Sequence, residues 1–313
     1  MSRTFRIATR QSKMAMFQTN LAIKLLQKAA PEYTFEAVPM TSDGCYERFK
    51  GDLKTIGGKG AFVKALELAM LAREADIAMH SFKDVPTDED LPEGLIIPCT
   101  LEREDPRDAV VCREGESLAA LPNGAKIGTS SVRRASQIKQ AMPHLNVVPL
   151  RGNADTRVAK VDSKEVDAAV LAYAGLCRID LKHRVTDVFE PDIMMPAVSQ
   201  GAVCLECRDN DQEALEVLSR INHQPTFTVT TAERSMLTAL GGSCHTPIAG
   251  WCTYQGDTEL QLTGMVASLD GNRIIRATHN GTADNPAALG EVVAQDLLTQ
   301  GAREILDACE AAA

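Results

Sequence analysis

Three stretches of this 313-residue sequence put arginine where a chain turn after a strand should expose it: Arg10 ends FRIATR, Arg133 and Arg134 follow GTSS, and Arg151 and Arg157 lie in LRGNADTR. In open α/β sheets, ligands settle beyond the C-terminal ends of the strands, and a planar guanidinium meets a carboxylate or phosphate with two parallel donors. Taken singly, each arginine reads equally well as a solvated surface group. Grouped at strand ends, they imply a ligand with several anionic groups. Thr129, Ser130 and Ser131 of GTSS follow a short strand and open a helix. Hydroxyls there can cap the free N–H groups of the first turn and help cradle an anion.

Two further segments hold potentially reactive side chains. HSFKDVP, residues 80–86, sets Lys83 and Asp84 just past an apolar strand, with Pro86 stopping further regular structure. By spacing alone, a single Asp at a strand end is more often a turn or helix cap than a catalytic group. Cys244 lies in GGSCHTP, where Gly241 and Gly242 allow a tight, exposed backbone and Pro247 ends the loop. The adjacent His245 does not make a Cys–His hydrolase, because neighbours in sequence rarely align as nucleophile and base. GGKGAF, residues 57–62, lacks the upstream Gly and the Ser or Thr after Lys that a Walker loop needs, which leaves a flexible turn or a substrate loop bearing Lys59. Cys204 and Cys207 have redox or metal spacing, but no second pair or His partner stands nearby. No metal site is expected.

The elements that must position these groups follow from apolar periodicity. A strand at Phe5–Ala8 precedes a helix with Met14, Phe17, Leu21 and Leu25 on its expected core face, then a strand around Phe35–Pro39. A helix bearing Phe62, Leu66 and Met70 and the strand DIAMH complete a βαβαβ pattern, which predicts a mostly parallel sheet. Beyond the charged link CTLEREDPRD come strands near Ala109–Cys112, Asn146–Leu150 and DAAVLA, with a helix carrying Val132, Ala135 and Ile138. This is a second α/β unit of similar build. From about Gln224 the pattern changes to a helix over 228–239, strand-like runs separated by Gln255-Gly256-Asp257 and Asp270-Gly271-Asn272, and a last helical stretch from Ala287. That reads as a small α+β domain with an antiparallel sheet.

Composition is that of a soluble globular chain of two or three domains, 44% hydrophobic and 24% charged. The net charge of −9 argues against electrostatic coating of nucleic acid, so any anion site must be local. The N-terminus lacks the apolar core of a secretory signal and no stretch is long enough for a membrane span, which predicts a cytoplasmic protein. The nine cysteines fit reduced thiols, most of them buried.

Read in order, IATRQS, GGKGAFVK, HSFKDVP, EREDPRDA, GTSSVRR, LRGNADTR, LAYAGLCR, PAVSQGAV, TAERSML and GGSCHTPIA resemble the porphobilinogen deaminase family along nearly the whole chain. The resemblance implies two α/β domains like type II periplasmic binding proteins and a small C-terminal α+β domain bearing a cofactor loop. It places domain 1 at 1–101 and 200–219, domain 2 at 105–196 and domain 3 at 224–313, with PAVSQGAV as a hinge. It further implies a transferase that condenses four porphobilinogen molecules head to tail, releasing ammonia, to give hydroxymethylbilane for haem and other tetrapyrroles.

The implied primer is a dipyrromethane cofactor held by a thioether to Cys244. Asp84 is then the catalytic carboxylate, stabilising positive charge on pyrrole nitrogen. Arg10, Ser12, Lys59, Ser81, Lys83, Thr129, Ser131, Arg133, Arg134, Arg151, Arg157, Arg178 and Gln200 would bind cofactor and substrate carboxylates. A monomer acting on a small molecule, without nucleic acid or membrane, is expected. Ser199 stands where the family usually has glycine, and TSDGCYERFKGDLKT is unlike the usual version of its stretch. The alternative, which the same arginines would suit, is a cytoplasmic binding protein for an acidic metabolite.

Overall fold

The computed structural model describes residues 3–40, 59–87, 91–113, 116–242 and 246–312, with the backbone alone at 59–62. The chain begins with β1 (Thr4–Arg10), α1 (Lys13–Ala29), β2 (Thr34–Met40), α2 (Lys59–Leu71), β3 (Ile77–Ser81) and β4 (Leu95–Thr100). There follow β5 (Asp108–Cys112), β6 (Lys126–Gly128), α3 (Val132–Ala141), β7 (Asn146–Val148), α4 (Ala154–Asp162), β8 (Ala168–Ala172), α5 (Tyr173–Arg178) and β9 (Asp187–Val188). Last come β10 (Val203–Arg208), α6 (Gln212–Ser219), α7 (Gln224–Ala239), β11 (Ile248–Tyr254), β12 (Glu259–Ala267), β13 (Ile274–Thr282), α8 (Pro286–Thr299) and α9 (Ala302–Ala311).

Two compact units result, Met1–Arg103 with Ala202–Phe227, and Glu104–Gly201 with Thr228–Ala313. In the first, the sheet order is β2-β1-β3-β10-β4, with β1 parallel to β2 and β3, and β10 antiparallel to both β3 and β4. In the second, β7-β6-β8-β5-β9 repeats that arrangement, with β5 as the reversed strand. Four strands of each sheet therefore share one direction and the fifth, second from an edge, opposes them. This is the order of a type II periplasmic-binding-protein lobe, so the two α/β sets are alike in architecture. The second unit also holds a three-stranded antiparallel sheet, β11-β12-β13, whose turns fall at Gly256 and Gly271 as the sequence predicts.

Strand alternation divides the first core. Phe5 and Ile7 face α1 and α6, while Ala8 and Ala78 face Leu66 and Met70 of α2. The core stripe of α1 differs from the expected one. Ala15, Gln18, Thr19, Ala22 and Leu26 are buried, Phe17 is 44% exposed, and Leu21 and Leu25 only flank the cluster. Two alanines let the helix lie close on the sheet, and its buried polar groups find partners there: Thr19 Oγ1 lies 2.7 Å from Thr9 Oγ1 and Gln18 Nε2 donates to Ser81 Oγ at 2.9 Å. In the second unit α7, α8 and α9 cover one face of the antiparallel sheet, burying Met236, Leu262, Val293, Leu297 and Leu306. Among the described residues, no helix is long and apolar enough to cross a membrane.

Candidate functional site

Because β1, β2 and β3 run in parallel, their C-terminal ends share one edge of the first sheet. Arg10 closes β1 there, half-buried, and Ser12 caps α1, its Oγ accepting from Ala15 N at 3.2 Å. Ser81 closes β3, paired with Val203 of β10. One 3₁₀ turn, Phe82–Asp84, then carries Lys83 and Asp84 past the edge. Phe82 and Val85 are both buried with Ala202 and Cys204, so apolar anchors on either side fix the half-buried Lys83 and Asp84 between them. The Phe82 N–H also donates to Ala202 O at 3.0 Å.

The second unit builds the matching edge differently. Thr129–Ser131 follow β6 and Arg151 follows β7, while the antiparallel β5 begins at the same edge, Asp108 facing Ala172. Ser131 caps α3, and Thr129 Oγ1 accepts from Ser131 N at 3.2 Å. Asp108, completely buried, is the hub. Arg134 donates through Nε and Nη2 to its Oδ1 at 3.1 and 2.6 Å, Arg133 Nη2 lies 2.8 Å from Oδ2, and Gln200 Nε2 donates to Oδ1 at 2.8 Å. Arg133 also reaches Met195 O at 2.6 Å and Arg134 reaches Val170 O at 3.2 Å.

The expectation that turns expose these arginines is corrected here. Arg133 and Arg134 are only 5% and 6% exposed, because α3 turns its polar side inward and leaves Val132 and Ala135 half-buried. Two guanidiniums share one carboxylate, so a surplus positive charge is buried at the strand ends; burial holds Arg133 below the usual guanidinium range despite Asp108. Arg178 is likewise buried, donating through Nε to Glu104 at 3.0 and 3.1 Å and through Nη2 to Gly201 O at 2.9 Å. Arg157 donates through Nε to Gly152 O at 2.8 Å. Of these arginines only Arg151 is exposed, with no polar partner among the described residues.

Cys244 and the side chain of Lys59 lie outside the described residues. The chain approaches Cys244 through Gly241, whose φ of +66° is left-handed and costs glycine little. Cys204 and Cys207 belong to the clusters on opposite faces of the first sheet, so they cannot act as a pair, and burial pushes the Cys207 thiol up to about 12. Sequence reasoning passed over Asp108 and Glu104. The signal was an acid opening the otherwise apolar strand DAVVC, since a charge buried there demands partners.

The strand order of the two mixed sheets defines a chain of the type II binding-protein fold class. The family model "Porphobilinogen deaminase, dipyromethane cofactor binding domain" matches residues 5–216, and the "Porphobilinogen deaminase, C-terminal domain" model matches 227–299. A porphobilinogen deaminase of Bacillus pumilus is 43% identical over 306 residues, 97% of each chain. One of Gloeobacter violaceus is 46% identical, over 98% of this chain and 94% of its own. Among solved structures, the Treponema pallidum lipoprotein Tp32 aligns with a TM-score of 0.44 at 14% identity, over 71% of this chain and 91% of its own. The Bordetella pertussis BvgS periplasmic VFT2 domain aligns at 0.43 and 12%, over 70% and 86%.

The chain belongs to the porphobilinogen deaminase family, transferases of tetrapyrrole biosynthesis that act on porphobilinogen and hold a dipyrromethane cofactor. The acidic-metabolite binder is thereby set aside. The cofactor's acetate and propionate arms suit the residues present, since the buried surplus charge at Arg133 and Arg134 and the unpaired Arg151 call for carboxylates.

Proposed function

We propose that Asp84 is the catalytic carboxylate of this transferase and that Cys244 holds the dipyrromethane by a thioether. Arg133, Arg134, Arg151, Arg157 and Arg178, with Arg10, Lys59 and Lys83, pair the carboxylates of cofactor and substrate; Ser12, Ser81, Thr129, Ser131 and Gln200 are their neutral partners. The observation that carries this reading is the sharing of Asp108 by two buried arginines, which leaves one positive charge for an acidic ligand to neutralise. When bound, the dipyrromethane supplies a nucleophilic pyrrole α-carbon as the primer of chain growth.

The protein's part is to bind, orient and stabilise. Asp84, fixed between Phe82 and Val85, accepts hydrogen bonds from pyrrole N–H groups and favours the positive charge that develops on nitrogen as ammonia leaves. A carboxylate so placed can also receive a proton from the coupled pyrrole. Since each added unit brings two more carboxylates, the exposed Arg151 and half-buried Arg157 serve the growing chain, and the buried pair serves the groups seated first. The division into domains at 1–101 with 200–219, 105–196 and 224–313, a monomeric state and a cytoplasmic location belong to the same proposal.

Intact mass under denaturing conditions tests it. The wild-type chain is expected to carry the mass of two linked pyrrole units and Cys244→Ser to carry none. A wild-type chain that stays at its bare mass after incubation with porphobilinogen would remove Cys244 from this role.

A further inference from the structure

Among its buried titratable groups the first unit gathers three on one face of its sheet to which the proposed reaction gives no part. On the face of the sheet turned to α2, His80 of β3 and Glu206 of β10 are 5% and 0% exposed, and Glu67 of α2 is 3% exposed. His80 Nε2 lies 2.8 Å from Glu206 Oε2, diagonally across the β3/β10 ladder, in which Cys204 faces His80 and Glu206 faces Ala78. Glu206 Oε1 is buried and has no hydrogen-bond partner among the described residues. The Lys64 ammonium lies 3.7 Å from Glu67. Arg208, farther along β10, is turned to Asp76 and to the carbonyls of Met70 and Ala75.

Buried ionic groups of this kind are a poor source of stability, since apolar side chains of the same volume often do as well; their best-attested use is to fix register. Here the fixed element matters. His80 is the last residue but one of β3, one rung before the ladder ends at Ser81 and Val203, and its contact with Glu206 reaches back two rungs along β10. Asp84 follows four residues after His80, within roughly 15 Å of chain.

We propose that Glu206, acting through His80 and backed by Glu67, is a positioning residue for the Ser81–Asp84 turn: a buried polar latch between β3 and β10 that sets where Asp84 stands. This rests on Asp84 being the catalytic carboxylate. The charges reaching the latch are Lys64 and Glu67 from α2, His80 from β3 and Glu206 from β10. Burial, with the neighbouring Glu206 next in weight, pushes the Glu67 carboxyl up to about 7, so a protonated carboxyl stands beside the His80–Glu206 contact in mildly acidic solution.

The test uses holoenzyme whose intact mass shows full cofactor loading. Glu206→Gln keeps the size of the side chain and an oxygen that accepts from His80 Nε2–H, but removes the charge. The expected result is a kcat lowered about tenfold with KM within about threefold, and a shifted pH profile of kcat. A folded, loaded E206Q protein with wild-type kcat and pH profile would overturn the latch. Should E206Q fail to load, ¹⁵N-histidine NMR of the wild-type holoenzyme decides: a His80 Nε2 engaged in a hydrogen bond is expected, and the ring shifts of an unengaged imidazole would sink the idea. Asp84→Asn separates the two readings. An active D84N enzyme refutes the role of Asp84 itself, whereas an inactive D84N beside a normal E206Q refutes only the latch.

Discussion

Asp84 owes its position to its neighbours, since the 3₁₀ turn that carries it is pinned by Phe82 and Val85 and by one backbone bond to Ala202. Replacing it by asparagine keeps the shape and removes the charge. Asp84→Asn is expected to lower kcat by about 10²-fold or more while moving the melting temperature little, as charge stabilisation at a reacting centre is worth that much; steady-state rates and a thermal melt on the same sample check it. Ser199 invites the opposite change. Its φ of +59° lies in the left-handed region and its hydroxyl is buried without a hydrogen-bond partner among the described residues. Relief of both features makes Ser199→Gly stabilising by about 1 kcal/mol, read as a higher denaturation midpoint. A lower midpoint would mean that the serine side chain fills space the glycine leaves empty.

At the scale of elements, α2 supplies a pH dependence of stability. Glu67, with its folded pKa raised to about 7 from an ordinary value of 4.5, stabilises the fold fully below 4.5, and that contribution is lost as pH rises through 7. Glu67→Gln should therefore flatten the fall in denaturation midpoint between these pH values; an unchanged slope would assign the fall to other groups. Helices also mark the limit of what the sequence told. Strand alternation and the turns at Gly256 and Gly271 were legible because they rest on local geometry. The buried face of α1 was not, because Met14, Phe17, Leu21 and Leu25 share helical spacing with the stripe that packs, and only the sheet decides between them. The inward turn of α3 was hidden for a related reason: arginine reads as exposed until its buried counter-ion is known, and Asp108 lies 25 residues before Arg133. The arginines' place at strand ends was legible, while their burial was a property of the fold.

For the whole molecule, the decisive feature is that β10 lies between β3 and β4, although more than a hundred residues separate it from β4. A fragment of residues 1–103 then has β4 with no strand to pair with, and β3 with an open edge. Expressed alone it is expected to give no cooperative unfolding transition, and a peptide of residues 202–227 should restore one by supplying β10 and α6. A fragment that melts cooperatively by itself would show that the first sheet does not need its inserted strand.

The same insertion fixes an order of events during synthesis. Every strand of the second sheet, β5 to β9, has been synthesised by Val188, whereas the first sheet waits for Val203–Arg208. The lobe that begins the chain is therefore the later one to close. Until β10 arrives, the nascent N-terminal half presents an unpaired strand, LIIPCT, and an open edge on IAMHS, which makes the interval between those two points the one in which a chaperone has most to protect.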